Sequence, residues 1–112
     1  MANNSQLALL EKQYAFLDKN FEKIFNKAPT DDEKIQFRQD YTTARDNYYE
    51  ALNRTFNDND SFVKSLTKEL KDTQTQIEQM TASFQNIVLL LDTITAGVRL
   101  ASSLIVLGSS IV

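Results

Sequence analysis

The fold of this chain is decided by residues 60–108, which read DSFVKSLTKELKDTQTQIEQMTASFQNIVLLLDTITAGVRLASSLIVLG. Apolar side chains recur here at alternating spacings of three and four residues, the a/d pattern of a coiled-coil helix. No Gly or Pro interrupts residues 60–96. The pattern therefore predicts one helix over 60–108, on the order of 70 Å long at 1.5 Å per residue. Its seam is Val63, Leu66, Leu70, Thr73, Ile77, Met80, Phe84, Ile87, Leu91, Ile94, Val98, Ala101 and Ile105.

Two shorter helices are predicted upstream of this segment. A similar a/d stripe from Leu7 to Ile24 predicts a helix over residues 5–27, which must end before Pro29 because proline disfavours a helical residue in front of it. Thr30 and Glu33 form a capping box, so we expect a second helix over residues 30–56. Asn and Asp side chains at 57–60 favour a turn, and Asp60 is suited to cap the following helix.

The expected fold class is all-α, and the 112 residues form a single helical domain. An N-terminal helical hairpin packs on the front half of a long C-terminal helix with coiled-coil-like heptads, forming a helical bundle. On the second helix, Phe37, Tyr41, Tyr48 and Tyr49 form an aromatic group, which we expect to pack in the core with its phenol groups at the rim.

Composition argues against enzymatic chemistry. The chain has no Cys and no His, which removes thiolate nucleophiles, imidazole bases and the usual transition-metal ligands. We therefore predict no catalytic residue, no cofactor, no metal and no small-molecule substrate, and we expect a protein that is not an enzyme. A net charge of −3 disfavours nucleic acid as a partner. The N-terminal residues lack the basic start and long apolar run of a secretory signal, so the expected location is cytoplasmic.

Charge is distributed unevenly along the chain, since residues 82–112 contain only two charged side chains, Asp92 and Arg99. The predicted hairpin is about half as long as the predicted long helix, so it could not cover the apolar segment 84–112. About ten Leu, Ile and Val side chains left in water would forgo roughly 15–30 kcal/mol. This exceeds the stability of an ordinary small domain, so something must cover the segment.

Three alternatives remain open for what shields residues 84–112 from water. The first is other copies of the chain, which predicts a non-enzymatic structural or interaction protein that forms a homo-oligomer. The second is membrane lipid, which predicts a membrane-inserting or pore-forming protein that uses the same segment. The third is the chain itself, if the helix breaks near residues 93–97, where Gly97 is the candidate turn residue.

The first two covers share one set of candidate interface residues. Asp92 and Arg99 are seven residues apart on one helix face, about 10.5 Å from each other, so each is expected to pair with a neighbouring helix or to mark a solvent-facing strip. The remaining candidates are apolar or small: Phe84, Ile87, Leu90, Leu91, Ile94, Gly97, Val98, Leu100, Ala101, Leu104, Ile105, Leu107 and Ile111.

Overall fold

The computed structural model describes residues 5–110, and helices dominate this part of the chain. The elements in chain order are α1 Ser5–Lys19, α2 Phe21–Lys27, α3 Asp31–Ala51, β1 Arg54–Thr55, α4 Ser61–Ser83, α5 Ile87–Leu107 and β2 Ser109–Ser110. The predicted all-α helical bundle is confirmed. The two strands form only a short antiparallel ladder, in which Arg54 is opposite Ser110 and Thr55 is opposite Ser109.

Four long helices form the bundle, and each packs against two neighbours. Going around the bundle, α1 packs on α3, α3 on α5, α5 on α4, and α4 on α1. The cross-helix hydrogen bonds show that α3 runs antiparallel to α1 and parallel to α5. The segment between α3 and α4 therefore crosses the end of the bundle diagonally, and β1 lies within it.

The structure confirms the predicted boundaries at Thr30, at Asp60 and before Pro29. Thr30 accepts a hydrogen bond at its hydroxyl from the Glu33 backbone N–H (3.2 Å) and donates its own hydroxyl to the Glu33 carboxylate (2.9 Å). Asp60 accepts hydrogen bonds from the backbone N–H groups of Phe62 and Val63. Ala28, before Pro29, has the extended backbone expected of a residue preceding proline.

The first two predicted helices are shorter than expected. The stretch 5–27 is divided at Asn20, whose side-chain amide donates to the Phe16 carbonyl (2.9 Å) and so competes with regular helical bonding. The second helix ends at Ala51 rather than at residue 56. Phe56 lies in the connection that follows, where it is buried in the part of the core that contains Leu10 and Leu104.

The predicted single helix over residues 60–108 is wrong. The chain instead forms two helices, α4 and α5, joined by residues 84–86, which we call the hinge. A helix of about 70 Å would exceed the longest extent of the molecule, 43 Å. The break lies before residues 93–97, where the fold-back alternative placed it, and Gly97 lies inside α5.

Two residues of the hinge explain the break. Phe84 adopts a left-handed conformation (φ 50°, ψ 33°), and its N–H donates to the Met80 carbonyl, which closes α4. Asn86 is the N-cap of α5, because its side-chain oxygen accepts from the Leu89 N–H (3.0 Å). Because the chain turns here, α5 packs against α3 and α4. The observed topology is that of the fold-back alternative, with the break at residues 84–86.

Residues of α5 contribute to both halves of the hydrophobic core. The half nearer the hinge includes Leu17, Ile24, Phe37 and Ile77, together with Leu90, Leu91, Ile94 and Val98 from α5. The other half includes Leu10, Phe56, Val63 and Leu70, together with Ala101, Leu104 and Ile105 from α5. Helix α5 is thus an integral core helix of the bundle.

Candidate interaction surface

The structure places most of the predicted interface residues inside the chain's own core. Eight of them are buried: Leu90, Leu91, Ile94, Gly97, Val98, Ala101, Leu104 and Ile105. Phe84, Ile87 and Leu100 are half-buried, and Leu107 is exposed. Ile111 lies outside the described residues. In this conformation, these eight residues are covered by the chain's own helices and have almost no surface to offer to another molecule.

The close approach of α5 to its neighbours depends on Gly97. A Cβ atom at this position would lie 3.3 Å from the Thr73 Cγ2 and 3.4 Å from the Ile77 Cδ1, both on α4. The same atom would lie 3.5 Å from the Gln13 amide nitrogen on α1. The face of α5 that carries Gly97 therefore packs inside the bundle and does not face a second copy or lipid.

The opposite face of α5 is exposed and remains a candidate interaction surface. It consists of Val88, Leu89, Asp92, Ala96, Arg99, Ser103, Val106 and Leu107, all of them exposed, and we call it the outer strip. At 100° per residue, these positions fall within about 100° of arc on the helix. The surface of the strip is apolar at both ends and carries its two charges in the middle.

The apolar ends of the outer strip bring several exposed apolar side chains together on one helix. Within residues 5–110, α5 supplies four of the eight large apolar side chains that are exposed. Val106 is 78% exposed and Leu89 is 53% exposed. Scattered exposed apolar residues are normal, but two pairs at the ends of one helix form a defined feature.

The two charged residues of the outer strip, Asp92 and Arg99, both lie at the solvent-exposed surface, as the solvent-strip alternative predicted. Among residues 5–110, no salt-bridge partner lies within 4.0 Å of either side chain. Arg99 acts on the interior only at longer range, through its positive charge near Asp40.

Asp40 is a buried carboxylate at the contact between α3 and α5. Its oxygens accept hydrogen bonds from the Thr95 hydroxyl (2.5 Å) and the Gln36 amide (3.0 Å). Burial raises the pKa of the Asp40 carboxyl, and the two hydrogen bonds and the charge of Arg99 oppose this shift. A cavity of about 50 Å³ beside it is lined by Glu33, Gln36, Phe37, Asp40, Leu91, Asp92 and Thr95.

Polar side chains elsewhere in the interior differ in how well they are satisfied. The Asn47 amide on α3 donates to the Ser102 hydroxyl on α5 (3.0 Å). The Gln6 amide on α1 donates to the Asp58 carboxylate (2.8 Å). Gln13, also on α1, is 2% exposed, and neither polar atom of its amide has a hydrogen-bond partner.

The aromatic group of α3 packs against Tyr14 of α1 and Phe21 of α2. The phenol groups of Tyr41 and Tyr48 lie at the rim, as predicted. Tyr41 donates to Asp18 (2.6 Å) and Tyr48 donates to Glu11 (2.9 Å). These hydrogen bonds to carboxylates raise the pKa of both phenols, since they stabilise the protonated form. Tyr49 is half exposed rather than in the core. The arrangement ties the α1–α3 hairpin together.

Two properties of the described residues bear on function. Helix α5 is long and apolar enough to cross a membrane by length and composition, a criterion that core helices of soluble proteins also meet. Over residues 5–110, no group of three or more acidic side chains is placed to hold a metal ion. No protein-family model, curated protein or solved structure matches this chain.

Proposed function

We propose that this protein is a non-enzymatic structural or interaction protein that self-associates through its apolar C-terminal helix. The observation that carries the proposal is the outer strip of α5, which is exposed, charged in the middle and apolar at both ends. This location differs from the sequence-based expectation, because the inner face of α5 is used within the chain. The interface proposed is therefore the outer strip alone.

The pattern of the outer strip is complementary to itself. When two α5 helices pack antiparallel about a two-fold axis, Asp92 of each copy faces Arg99 of the other, and two ion pairs form reciprocally. The midpoint between these charges lies next to Ala96, whose small side chain allows the two helices to approach closely at the axis. A parallel arrangement would instead place like charges opposite each other and is disfavoured.

The apolar ends fit the same antiparallel arrangement. Val88 and Leu89 of one copy lie opposite Val106 and Leu107 of the other. About an axis at 95.5, the midpoint of the charged pair, the apolar pairs are four residues out of register. An axis at 96.5 divides this offset, so that the charged pairs and the apolar pairs are each displaced by two residues, about 3 Å. Long side chains accommodate an offset of this size. One two-fold axis therefore buries the exposed apolar residues and neutralises both charges.

A charge-exchange experiment tests this proposal. Asp92→Arg and Arg99→Asp each place like charges across the two-fold axis, and we expect each to weaken dimerisation about tenfold or more. The double variant, Asp92→Arg with Arg99→Asp, restores opposite charges and should recover the wild-type dissociation constant. Sedimentation equilibrium over a concentration series measures these constants, and circular dichroism checks that each variant is folded.

Two outcomes contradict the proposal. One is a wild-type protein that remains monomeric at millimolar concentration. The other is a dimer that the single variants do not weaken, or that the double variant does not restore, because either result separates dimerisation from the outer strip. Lys64→Glu, an exposed change on α4, serves as the charge control and should have no effect on the dimer.

A second candidate function, membrane insertion through residues 84–112, is supported by the length and apolar composition of α5. For this function, α5 would have to leave the bundle, since its inner face is buried in the core. A substitution that loosens the contact between α4 and α5 should therefore strengthen binding to lipid. Ile77→Ala is such a substitution, because it removes buried methyl groups from the α4 side of that contact.

Flotation with liposomes of neutral and of anionic lipid tests this second candidate. We expect the Ile77→Ala protein to float with the liposomes in a larger fraction than the wild-type protein does, because its α5 leaves the bundle more readily. Absence of flotation for both proteins contradicts membrane insertion.

A further inference from the structure

The hinge between α4 and α5 holds a non-glycine residue in a left-handed conformation. Phe84 has φ 50°, and it is the only non-glycine residue with positive φ among residues 5–110. A bulky residue in this region is strained, because its Cβ approaches the backbone too closely. The hinge is also short, since only residues 84–86 separate the last residue of α4 from the first of α5.

The hydrophobic pattern continues through the hinge without a change of phase. Counting in steps of seven from Val63 gives Leu70, Ile77, Phe84, Leu91, Val98 and Ile105. Every member of this series is buried except Phe84, which is half-buried and lies at the hinge. The pattern that predicts a single long helix is thus compatible with a second conformation, in which residues 60–108 are continuous and their buried faces lie on one side.

We propose that this chain exchanges α5 between two copies by straightening the hinge. In the exchanged dimer, α4, the hinge and α5 of each copy form one long helix, and the two long helices pack antiparallel. The α5 of each copy then occupies the place of α5 in the other copy, against its α3 and α4. The partner is a second copy of this chain, and the proposal does not depend on the outer strip.

The contacts of α5 can all be remade between copies. The Asp40–Thr95 and Asn47–Ser102 hydrogen bonds join α3 to α5, and the Gly97 contact with Thr73 joins α4 to α5. Each of these contacts has the same partners when α5 comes from the other chain. The exchange therefore changes only the hinge itself, and short strained hinges favour such exchange.

Two features of the hinge act in opposite directions. The left-handed Phe84 disfavours the closed monomer, and straightening the hinge relieves this strain. The Asn86 side chain favours the monomer, because it caps α5 only where the helix begins. Substitutions at these two positions should therefore shift the equilibrium between monomer and exchanged dimer in opposite directions.

The hinge variants are tested in an Arg99→Asp background, which weakens dimers that use the outer strip. Asn86→Ala loses the cap and improves the continuous helix, so we expect the dissociation constant of the dimer to fall about tenfold. Phe84→Gly relieves the strain in the monomer and weakens the continuous helix, so we expect that constant to rise about tenfold. Thr30→Ala removes a comparable cap from α3 and should leave the equilibrium unchanged.

A cross-linking experiment identifies which α5 each chain contacts. The chain has no cysteine, so Asn47→Cys with Ser102→Cys places two thiols across the α3–α5 contact. Dibromobimane, which joins two neighbouring thiols, is applied to the isolated Asn86→Ala dimer and to the monomer. A denaturing gel should then show linked chains from the dimer and single chains from the monomer.

The outcomes distinguish exchange from simple pairing. A dimer whose chains separate on the denaturing gel overturns the proposal, because its links then lie within each chain. A monomeric Asn86→Ala protein at millimolar concentration also overturns it. Loss of dimerisation on Arg99→Asp alone, with no effect of the hinge variants, supports the outer-strip interface and contradicts exchange. Dimers that persist in the Arg99→Asp background and respond to both hinge variants support exchange even where the outer-strip proposal fails.

Discussion

Gln13 is a buried residue whose side-chain amide makes no hydrogen bonds. Both polar atoms of its amide lack partners, although the side chain is 2% exposed. A buried amide without hydrogen bonds costs roughly 1–3 kcal/mol in proteins. We expect Gln13→Met, which has nearly the same shape and no amide, to raise the free energy of unfolding by about that amount. Urea denaturation followed by circular dichroism measures the change.

Gln6 is the matched control for this prediction. It lies on the same helix, is equally buried, and donates its amide to Asp58 at 2.8 Å. Gln6→Met should therefore lower the free energy of unfolding by about 1–3 kcal/mol, since the Asp58 carboxylate would lose this hydrogen bond. Equal effects of the two substitutions, in either direction, would contradict the explanation by hydrogen-bond satisfaction.

At the scale of the elements, the α3–α5 contact should depend on pH through Asp40. Burial raises the pKa of this carboxyl above its unfolded value, so the folded state binds the proton more tightly than the unfolded state. The contribution of Asp40 to the free energy of unfolding is therefore most favourable below the unfolded pKa, near 3.8. That contribution is lost as pH rises through the folded pKa. Asp40→Asn, which removes this charge, should therefore stabilise the protein at about pH 7.

The pH profile separates this effect from a general gain in packing. The advantage of Asp40→Asn should shrink as pH falls below the unfolded pKa, because the wild-type carboxyl is then neutral in both states. Other charged groups lie near Asp40: Glu33 and Asp92 line the same cavity, and the charge of Arg99 opposes the rise in the Asp40 pKa. The wild-type and Asp40→Asn proteins are therefore compared with these three residues unchanged. A constant difference between the two proteins from about pH 3 to about pH 7 would contradict the role of the Asp40 charge.

The elements also show how far the sequence could predict the fold. The boundaries near Pro29, Thr30 and Asp60 follow from local chemistry, and the structure confirms them. The hinge has no such signal except Asn86, which is a good N-cap that an uninterrupted heptad pattern conceals. A helix can end at Phe84 because the tertiary contacts of α5 offset the strain of one left-handed residue, and sequence patterns do not reveal that balance.

The candidate surface was predicted only in part, because the tertiary contacts of α5 cannot be seen in the sequence pattern. Periodicity identifies the apolar residues of α5, but it does not show whether the chain's own helices or another molecule will cover them. The exposed positions of Asp92 and Arg99 could be predicted, since a charged strip on an apolar helix favours solvent. The unsatisfied amide of Gln13 could not, because it depends on what α4 and α5 bring against α1.

At the scale of the whole molecule, the bundle should not survive removal of its last helix. Six large apolar side chains of α5 are buried: Leu90, Leu91, Ile94, Val98, Leu104 and Ile105. At 1.5–3 kcal/mol each, their burial contributes roughly 9–18 kcal/mol, as much as the whole stability of a typical domain. We expect a chain that ends at Ser83 to lose its cooperative thermal unfolding and to bind the dye ANS. A chain that ends at Ser110 is the control and should unfold as the full protein does.

This truncation also distinguishes a core helix from a separable assembly segment. If α5 served only to join copies, the chain ending at Ser83 would be a folded monomer with unchanged helicity in residues 5–83. The buried faces of α3 and α4 predict the opposite, because Phe37, Leu70 and Ile77 would lose the helix that covers them. A sharp thermal transition in the truncated chain, with well-dispersed amide resonances, would show that α1, α3 and α4 form a stable unit without α5.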